Sequence, residues 1–153
     1  MKKPVVSVVM GSKSDSEVVE ECLGILKDFA ISYEVMVRSA HRMPEKTRAF
    51  ARSAARRGIK VIIACAGGAA HLAGVLASQT ILPVIGIPAK TSALKGIDSY
   101  LSTLQMPAGV PVATVSIGKS GAKNAALLAA QILAINDSNL KKKLTLYKRK
   151  LAG

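Results

Sequence analysis

The stretch KVIIACAGGAAHLAG, residues 60–74, decides the fold. It begins with three consecutive β-branched residues, 61–63, which predict a strand buried on both faces of a parallel sheet. The strand ends at residues 67–68, two glycines that allow a tight turn and close approach of a ligand. A helix is predicted over residues 69–78, with His71 in its first turn. Ligands of open α/β sheets bind at the carboxyl ends of such strands, so this turn is a candidate site, although a plain structural turn explains the same residues.

The rest of the chain alternates strands and helices. Further strands are predicted over residues 5–10, 33–38, 83–88 and 112–117. Helices are predicted over residues 16–29, 45–57, about 94–104 and 122–135, with a basic C-terminal helix from about 138. Ser14 or Asp15 can cap the first helix, and Ser138 can cap the last. This order favours a single domain over residues 1–153: a three-layer α/β/α fold around a doubly wound, five-stranded parallel sheet with flavodoxin-like strand order.

Composition limits the classes of function. The 153 residues include 22 Lys and Arg against 9 Asp and Glu, a formal net charge of +13 that invites a nucleic-acid partner. Much of this charge lies in the tail, residues 138–153, and an aromatic content of 3% leaves few side chains for base stacking, so nucleic acid is disfavoured. There is no long apolar run that predicts a membrane span. Cys22 and Cys65 are predicted core residues without metal spacing, and we expect a cytoplasmic protein.

The predicted helix over residues 122–135 is apolar on nearly all sides. Small residues that allow close helix approach recur along it, at Ala125, Ala126, Ala129 and Ala130. A three-layer domain is expected to cover one side of such a helix, so the other side is expected to pack against a second subunit. The sequence therefore predicts a homo-oligomer.

Three loops, residues 11–15, 39–44 and 66–74, follow neighbouring strands and are expected to converge on one cleft. The polar and glycine residues they carry are Ser12, Ser14, Asp15, Ser39, His41, Arg42, Gly67, Gly68 and His71. The first loop, GSKSD, offers hydroxyl and backbone N–H groups to phosphate, but it has neither P-loop nor GxGxxG spacing. There is no Ser-His-Asp order, and two histidines without a carboxylate cluster do not predict a metal site.

Each charged or titratable residue of this cleft has a functional and a structural interpretation. Asp15 can accept hydrogen bonds from vicinal ribose hydroxyls, or it can serve only as a helix cap. Arg42 can bind phosphate through two parallel hydrogen bonds, or it can be a solvated surface residue. His41 can exchange protons near neutral pH, or it can be a hydrogen-bonded structural residue.

Four motifs together resemble the N5-carboxyaminoimidazole ribonucleotide mutase family of purine biosynthesis. They are GSKSD at 11–15, SAHRMP at 39–44, AGGAAHLAG at 66–74 and QMPAGVPVAT at 105–114. The resemblance runs from about residue 5 to 134, and the last two motifs are similar to those of the bacterial mutase class. Met43 stands where the family usually has threonine, and Ala73 where proline is common. The basic tail is not explained by the resemblance.

The resemblance implies an octamer that uses no metal, ATP or organic cofactor. It implies that the carboxylate of a ribonucleotide carbamate moves from the exocyclic nitrogen to carbon 4 of the imidazole, through decarboxylation and recapture of carbon dioxide. His41 matches the catalytic position. The substrate-binding positions are Ser12, Ser14, Asp15, Arg42, Ser39, Ala66, Gly67, Gly68, Ala69, His71 and Leu72. Two alternatives stay open: direct carboxylation of aminoimidazole ribonucleotide, and a nucleotide-binding module without catalysis.

Overall fold

The stretch VIIACA forms the central strand of a parallel sheet. The computed structural model describes residues 3–153, so Met1 and Lys2 of the predicted domain lie outside the described residues. The strands are β1 (Val6–Met10), β2 (Tyr33–Val37), β3 (Val61–Ala66), β4 (Val84–Pro88) and β5 (Ala113–Thr114). They pair in parallel in the order β2-β1-β3-β4-β5, which is the predicted flavodoxin-like order.

Burial along the strands follows their sequence patterns. β1 and β4 are buried throughout, and so is β3 up to its last residue, which accounts for their mainly apolar composition. The polar exception in β1 is Ser7, whose hydroxyl donates to the Glu34 carboxylate at 3.0 Å. The more alternating β2 lies at one edge and is half-buried. β5, at the opposite edge, pairs only through residues 113–114 and is shorter than the predicted strand over 112–117. The predicted length was wrong because the regular ladder stops after Thr114: beyond it the Val115 N–H still donates to Gly86 O at 3.1 Å, but the flanking apolar residues Val112 and Val115 pack on the core without extending the strand.

Helices cover both faces of this sheet. They are α1 (Ser16–Asp28), α2 (Pro44–Ala54), α3 (Leu72–Ala77), α4 (Ile97–Leu104), α5 (Lys119–Ala134) and α6 (Ser138–Ala152). One core cluster joins α1, α5 and α6 to one face of the sheet, and a second joins α2 and α3 to the other. Alternate residues of β1 divide between them, with Val8 in the first cluster and Val9 in the second. No helix within residues 3–153 combines the length and apolar character needed to cross a membrane.

The surroundings of α5 differ from those predicted. Ala125, Ala126, Ala129 and Ala130 are fully buried inside the one chain, where α1, α6 and the sheet cover them. The prediction that these alanines face a second subunit was therefore wrong. The C-terminal helix α6 helps to cover the side of α5 that was assigned to a second subunit, since Leu140 and Leu144 belong to the same core cluster as the alanines.

Two details of the C-terminal helix also differ. Asp137, and not Ser138, caps α6, because its carboxylate accepts hydrogen bonds from the backbone N–H groups of Asn139 and Leu140, both at 3.0 Å. The spacing of Leu140, Leu144, Tyr147 and Leu151 in the sequence predicts that they line one packed side of this helix, yet 65% of the surface of Leu151 is exposed. The last turn of α6 extends beyond the contact between Tyr147 and Phe29, whose ring centroids lie 5.6 Å apart.

Candidate functional site

The loops after β1, β2 and β3 meet at the carboxyl edge of the sheet and enclose a cavity of about 510 Å³. Of the residues selected from the sequence, those that line it are Ser12, Ser14, Asp15, Ser39, His41, Arg42, Ala66, Gly67, Ala69, His71 and Leu72. Gly68 is the exception and lies outside the lining. Its φ of +63° is a conformation that side chains rarely adopt, so this glycine shapes the turn that presents its neighbours.

A fourth loop also contributes to the cavity. Ala89, Lys90 and Thr91, which follow β4 directly, were not predicted as site residues. The signal was available, because β4 neighbours β3 in the predicted strand order and its carboxyl end must lie on the same edge. Lys90 is exposed and adds an ammonium group to the cavity, while the Thr91 hydroxyl donates to the carboxylate of Asp98 at 2.8 Å.

Asp15 is the buried carboxylate of the site, with 8% of its surface exposed. Its Oδ2 accepts a hydrogen bond from the backbone N–H of Ser12 at 3.0 Å, and the Ser12 hydroxyl in turn accepts from the backbone of Ser14 at 3.3 Å. Burial raises the pKa of Asp15, against the opposing effect of N–H groups at Ser12 and Gly11 and of the Arg42 charge. Asp15 occupies the predicted N-cap position of α1, but its side chain makes no capping hydrogen bond there, because the carboxylate points back into its own loop.

Arg42 joins two of the loops. Its Nη2 donates to the backbone oxygen of Gly11 at 3.3 Å, and its Nε lies 3.4 Å from the hydroxyl of Ser39, a buried residue. The same hydroxyl accepts from the Arg42 backbone N–H at 3.1 Å. A guanidinium carries five N–H donors, and these side-chain contacts use two of them. The group is therefore fixed in place with donors to spare for an anion such as phosphate.

The two histidines of the chain contact each other. His41 Nε2 and His71 Nδ1 lie 2.8 Å apart, and the two rings stand nearly perpendicular, at 89°. His71 was predicted in the first turn of a helix over 69–78, but α3 begins only at Leu72. Two tight backbone bonds, from Ala70 N–H to Gly68 O and from His71 N–H to Ala69 O, replace the first predicted helical turn.

Met43 and Ala73, the two departures from the family pattern, follow lining residues in the chain but do not line the cavity themselves. Ala73 is buried in α3, and Met43 precedes α2, where its backbone oxygen accepts from the hydroxyl of Thr47 at 2.9 Å. Within residues 3–153 there is also no group of three or more His, Cys, Asp or Glu side chains arranged to hold a metal ion.

The fold and the cavity together define the class of protein, a flavodoxin-like α/β domain with a polar site at the carboxyl edge of its sheet. This site contains two imidazoles in contact, an arginine and a buried carboxylate. Comparison with known proteins gives the family. The chain belongs to the AIR carboxylase family, whose sequence model matches residues 5–153. The resemblance inferred from the four motifs is thereby confirmed.

Relatives in this family are similar over nearly the whole chain. N5-carboxyaminoimidazole ribonucleotide mutase of Pyrococcus abyssi is 57% identical over 145 residues, which cover 95% of this chain and 82% of that protein. The Bacillus subtilis protein of the same name is 56% identical over 142 residues, 93% of this chain and 88% of its own. The crystal structure of Treponema denticola PurE superposes with a TM-score of 0.87 at 32% identity, covering 97% of this chain and 92% of that one.

Proposed function

We propose that this protein is an enzyme of purine biosynthesis, which converts N5-carboxyaminoimidazole ribonucleotide to 4-carboxyaminoimidazole ribonucleotide. The relatives named above carry the name of this activity. The observation that supports it most in the structure is the convergence of His41, Arg42 and Asp15 on one cavity. A ribonucleotide needs a group that binds its phosphate and an acceptor for its hydroxyls, which Arg42 and Asp15 can provide. The proposed reaction also needs a proton donor and acceptor, for which His41 is the candidate.

The binding roles follow from the chemistry of each group. Arg42 binds the phosphate of the substrate, a role supported by its contacts to Gly11 and Ser39, which leave guanidinium donors over. The carboxylate of Asp15 accepts hydrogen bonds from the ribose hydroxyls. Its hydrogen bond from Ser12 uses one lone pair, and the other lone pairs stay available. The hydroxyls of Ser12 and Ser14, on the same loop, complete a polar wall.

The reaction moves a carboxylate between two atoms of one substrate. The bond from the exocyclic nitrogen to the carbamate carbon breaks, its electrons return to the nitrogen, and the nitrogen takes a proton from His41. Carbon dioxide is released next to the ring, beside the small residues Ala66, Gly67 and Ala69, which leave room for it. Carbon 4 then attacks the carbon dioxide, and His41 removes the proton from carbon 4. Protons and electrons balance over the cycle without a co-reactant.

A turnover assay tests this proposal. The carbamate should be generated fresh, because carbamates lose carbon dioxide spontaneously, and appearance of the 4-carboxylate should be compared with the rate in the His41→Asn variant. A parallel reaction with aminoimidazole ribonucleotide and bicarbonate tests direct carboxylation. Faster product formation from the carbamate supports the mutase, and faster formation from bicarbonate favours the carboxylase. Nucleotide binding without turnover of either substrate would indicate a binding module.

The assembly and location belong to the same proposal. The family resemblance implies a homo-octamer, and the absence of disulfide or metal spacing at Cys22 and Cys65 is consistent with a cytoplasmic location. The structure offers an exposed apolar row on α4, formed by Ile97, Leu101 and Leu104 at one-turn spacing, which a neighbouring subunit can cover. Sedimentation should give a species near eight times the 16.0 kDa chain mass. A stable monomer at micromolar concentration would contradict the proposal.

A further inference from the structure

The contact between the two imidazoles restricts their protonation. A neutral imidazole has one N–H and one bare nitrogen, so at 2.8 Å either His41 Nε2 donates to His71 Nδ1 or the reverse. Each arrangement fixes which nitrogen of His41 carries its proton. When His41 Nε2 is the donor, neutral His41 has a bare Nδ1 and is a base. When His71 Nδ1 is the donor, neutral His41 carries its proton on Nδ1 and is an acid. A shift of the bridging proton, coupled to transfer of a proton at His41 Nδ1, therefore exchanges the two forms.

We infer that His71 is a relay partner for His41, and that the pair rather than His41 alone is the acid and base of the proposed reaction. The inference rests on the proposed function. In the starting state the pair carries one extra proton: His41 is neutral with its proton on Nδ1, and His71 is protonated on both nitrogens. His41 Nδ1 gives its proton to the exocyclic nitrogen while His71 Nδ1 passes its own to His41 Nε2. The pair is then neutral.

The second half-reaction reverses these transfers. His41 Nδ1 takes the proton of carbon 4, and His41 Nε2 returns the bridging proton to His71 Nδ1. The pair regains its single positive charge, so no proton is gained or lost over the cycle. His41 stays neutral throughout, and the charge resides on His71.

The charges around the cavity explain why a relay is favourable. Arg42 follows His41 directly in the chain, and Lys90 lines the same cavity, whereas Asp15 is the one carboxylate among the lining residues. A single histidine would have to carry a further positive charge itself in order to act as an acid. The contact with His71 transfers that charge to the neighbouring ring.

The first test does not depend on activity. The chain has two histidines, so the ring signals in a nuclear magnetic resonance titration are assigned by comparing the wild type with His41→Asn and His71→Asn. A pair that shares a proton should titrate in two separated steps, and both rings should respond in each step. Each single-histidine variant should titrate in one step. Wild-type rings that titrate independently, each as in its single-histidine variant, would overturn the inference.

The second test separates relay from positioning. The amide of His71→Asn can still accept a hydrogen bond near the place of Nδ1, so it can hold the His41 ring, but it cannot carry a proton. His71→Phe removes both functions. For His71→Asn we expect kcat to fall by ~10-fold or more with KM within about 3-fold of wild type, and the step contributed by the pair should disappear from the pH profile of kcat.

The two proposals fail in different ways. If the wild type does not convert the carbamate, the proposed function is wrong, whatever the titration shows. If the wild type converts it and His71→Asn keeps the wild-type kcat and pH profile, the relay is wrong and the mutase activity stands. A His71→Asn variant that loses activity only through KM would also overturn the relay, because a positioning or binding role explains that result.

Discussion

The buried carboxylate of Asp15 gives a sharp test of the site, because two substitutions separate its charge from its hydrogen bond. Asp15 Oδ2 accepts from the Ser12 N–H at 3.0 Å, and burial raises the pKa of the carboxyl group. Asp15→Asn keeps an oxygen that can accept from Ser12 and removes the charge. Asp15→Ala removes both and leaves a backbone N–H without its partner.

The two variants should differ in stability. A raised pKa means that the folded protein holds the Asp15 proton more tightly than the unfolded chain does. Its contribution to stability is complete below the usual carboxyl pKa and is lost as pH rises through the raised value. Asp15→Asn avoids that loss and should be at least as stable as wild type at neutral pH. Asp15→Ala should lose ~1–3 kcal/mol, the cost of an unsatisfied buried N–H group.

For Asp15→Asn, the effect on substrate binding runs in the opposite direction to the effect on stability. Hydrogen bonds to charged groups contribute ~1.5–3 kcal/mol and neutral ones ~0.5–1.5 kcal/mol. Asp15→Asn should therefore weaken binding of a ribose hydroxyl by ~1–1.5 kcal/mol, a rise in KM of roughly 5- to 13-fold. Asp15→Ala loses the whole ~1.5–3 kcal/mol and should raise KM by roughly 13- to 160-fold.

Thermal unfolding between about pH 4 and pH 8, together with steady-state kinetics of both variants, measures these quantities. The reasoning is refuted if KM is unchanged in both variants, because Asp15 would then have no contact with substrate. It is also refuted if Asp15→Asn is as destabilised at neutral pH as Asp15→Ala, because the charge and not the hydrogen bond would then stabilise the loop.

Three further variants test the rest of the site and the fold. His41→Asn should lower kcat by ~10²–10⁴-fold, while nucleotide binding measured by calorimetry should be retained. A variant that kept about a tenth of the wild-type rate would exclude His41 as the proton donor. Arg42→Ala should act mainly on KM, through the loss of ~1.5–3 kcal/mol of contact with phosphate, and steady-state kinetics that show a change in kcat alone would contradict this role. Ala126→Glu, a charge placed at a fully buried position of α5, should prevent folding as followed by circular dichroism, whereas Gln131→Glu on the exposed side of the same helix should not. A folded but dissociated Ala126→Glu protein would show that this side faces another subunit.

The sheet could be predicted from the sequence because its signal is local. The apolar runs of β1, β3 and β4 mark strands buried on both faces, and one helix between each pair of strands allows few arrangements. Convergence of the loops follows from strand order alone, and it brought together both histidines, Arg42 and Asp15.

The contacts inside the cavity could not be predicted in the same way. The bond between His41 and His71 depends on the conformation of the turn before α3, where Gly68 takes a positive φ and two tight backbone bonds delay the helix. The return of the Asp15 carboxylate to Ser12 depends on a short 3-10 turn over Lys13–Asp15. Hydrophobic periodicity carries no information about such turns, because it reports which face of an element is buried and not the backbone angles between elements.

The positive charge of the C-terminal segment, residues 138–153, is explained by the fold and not by the charge pattern alone. Leu140 and Leu144 close the core over α5, so the lysines of α6 are the exposed face of a helix whose inner face is needed for packing. Lys143 has a further structural contact, because its Nζ donates at 3.1 Å to the backbone oxygen of Phe29, the residue that ends α1. A cation at a helix C-terminus is favoured by the helix dipole. The apolar side of α5 and the positive charge of the tail therefore have one explanation within a single chain, and neither requires a nucleic acid or a second subunit.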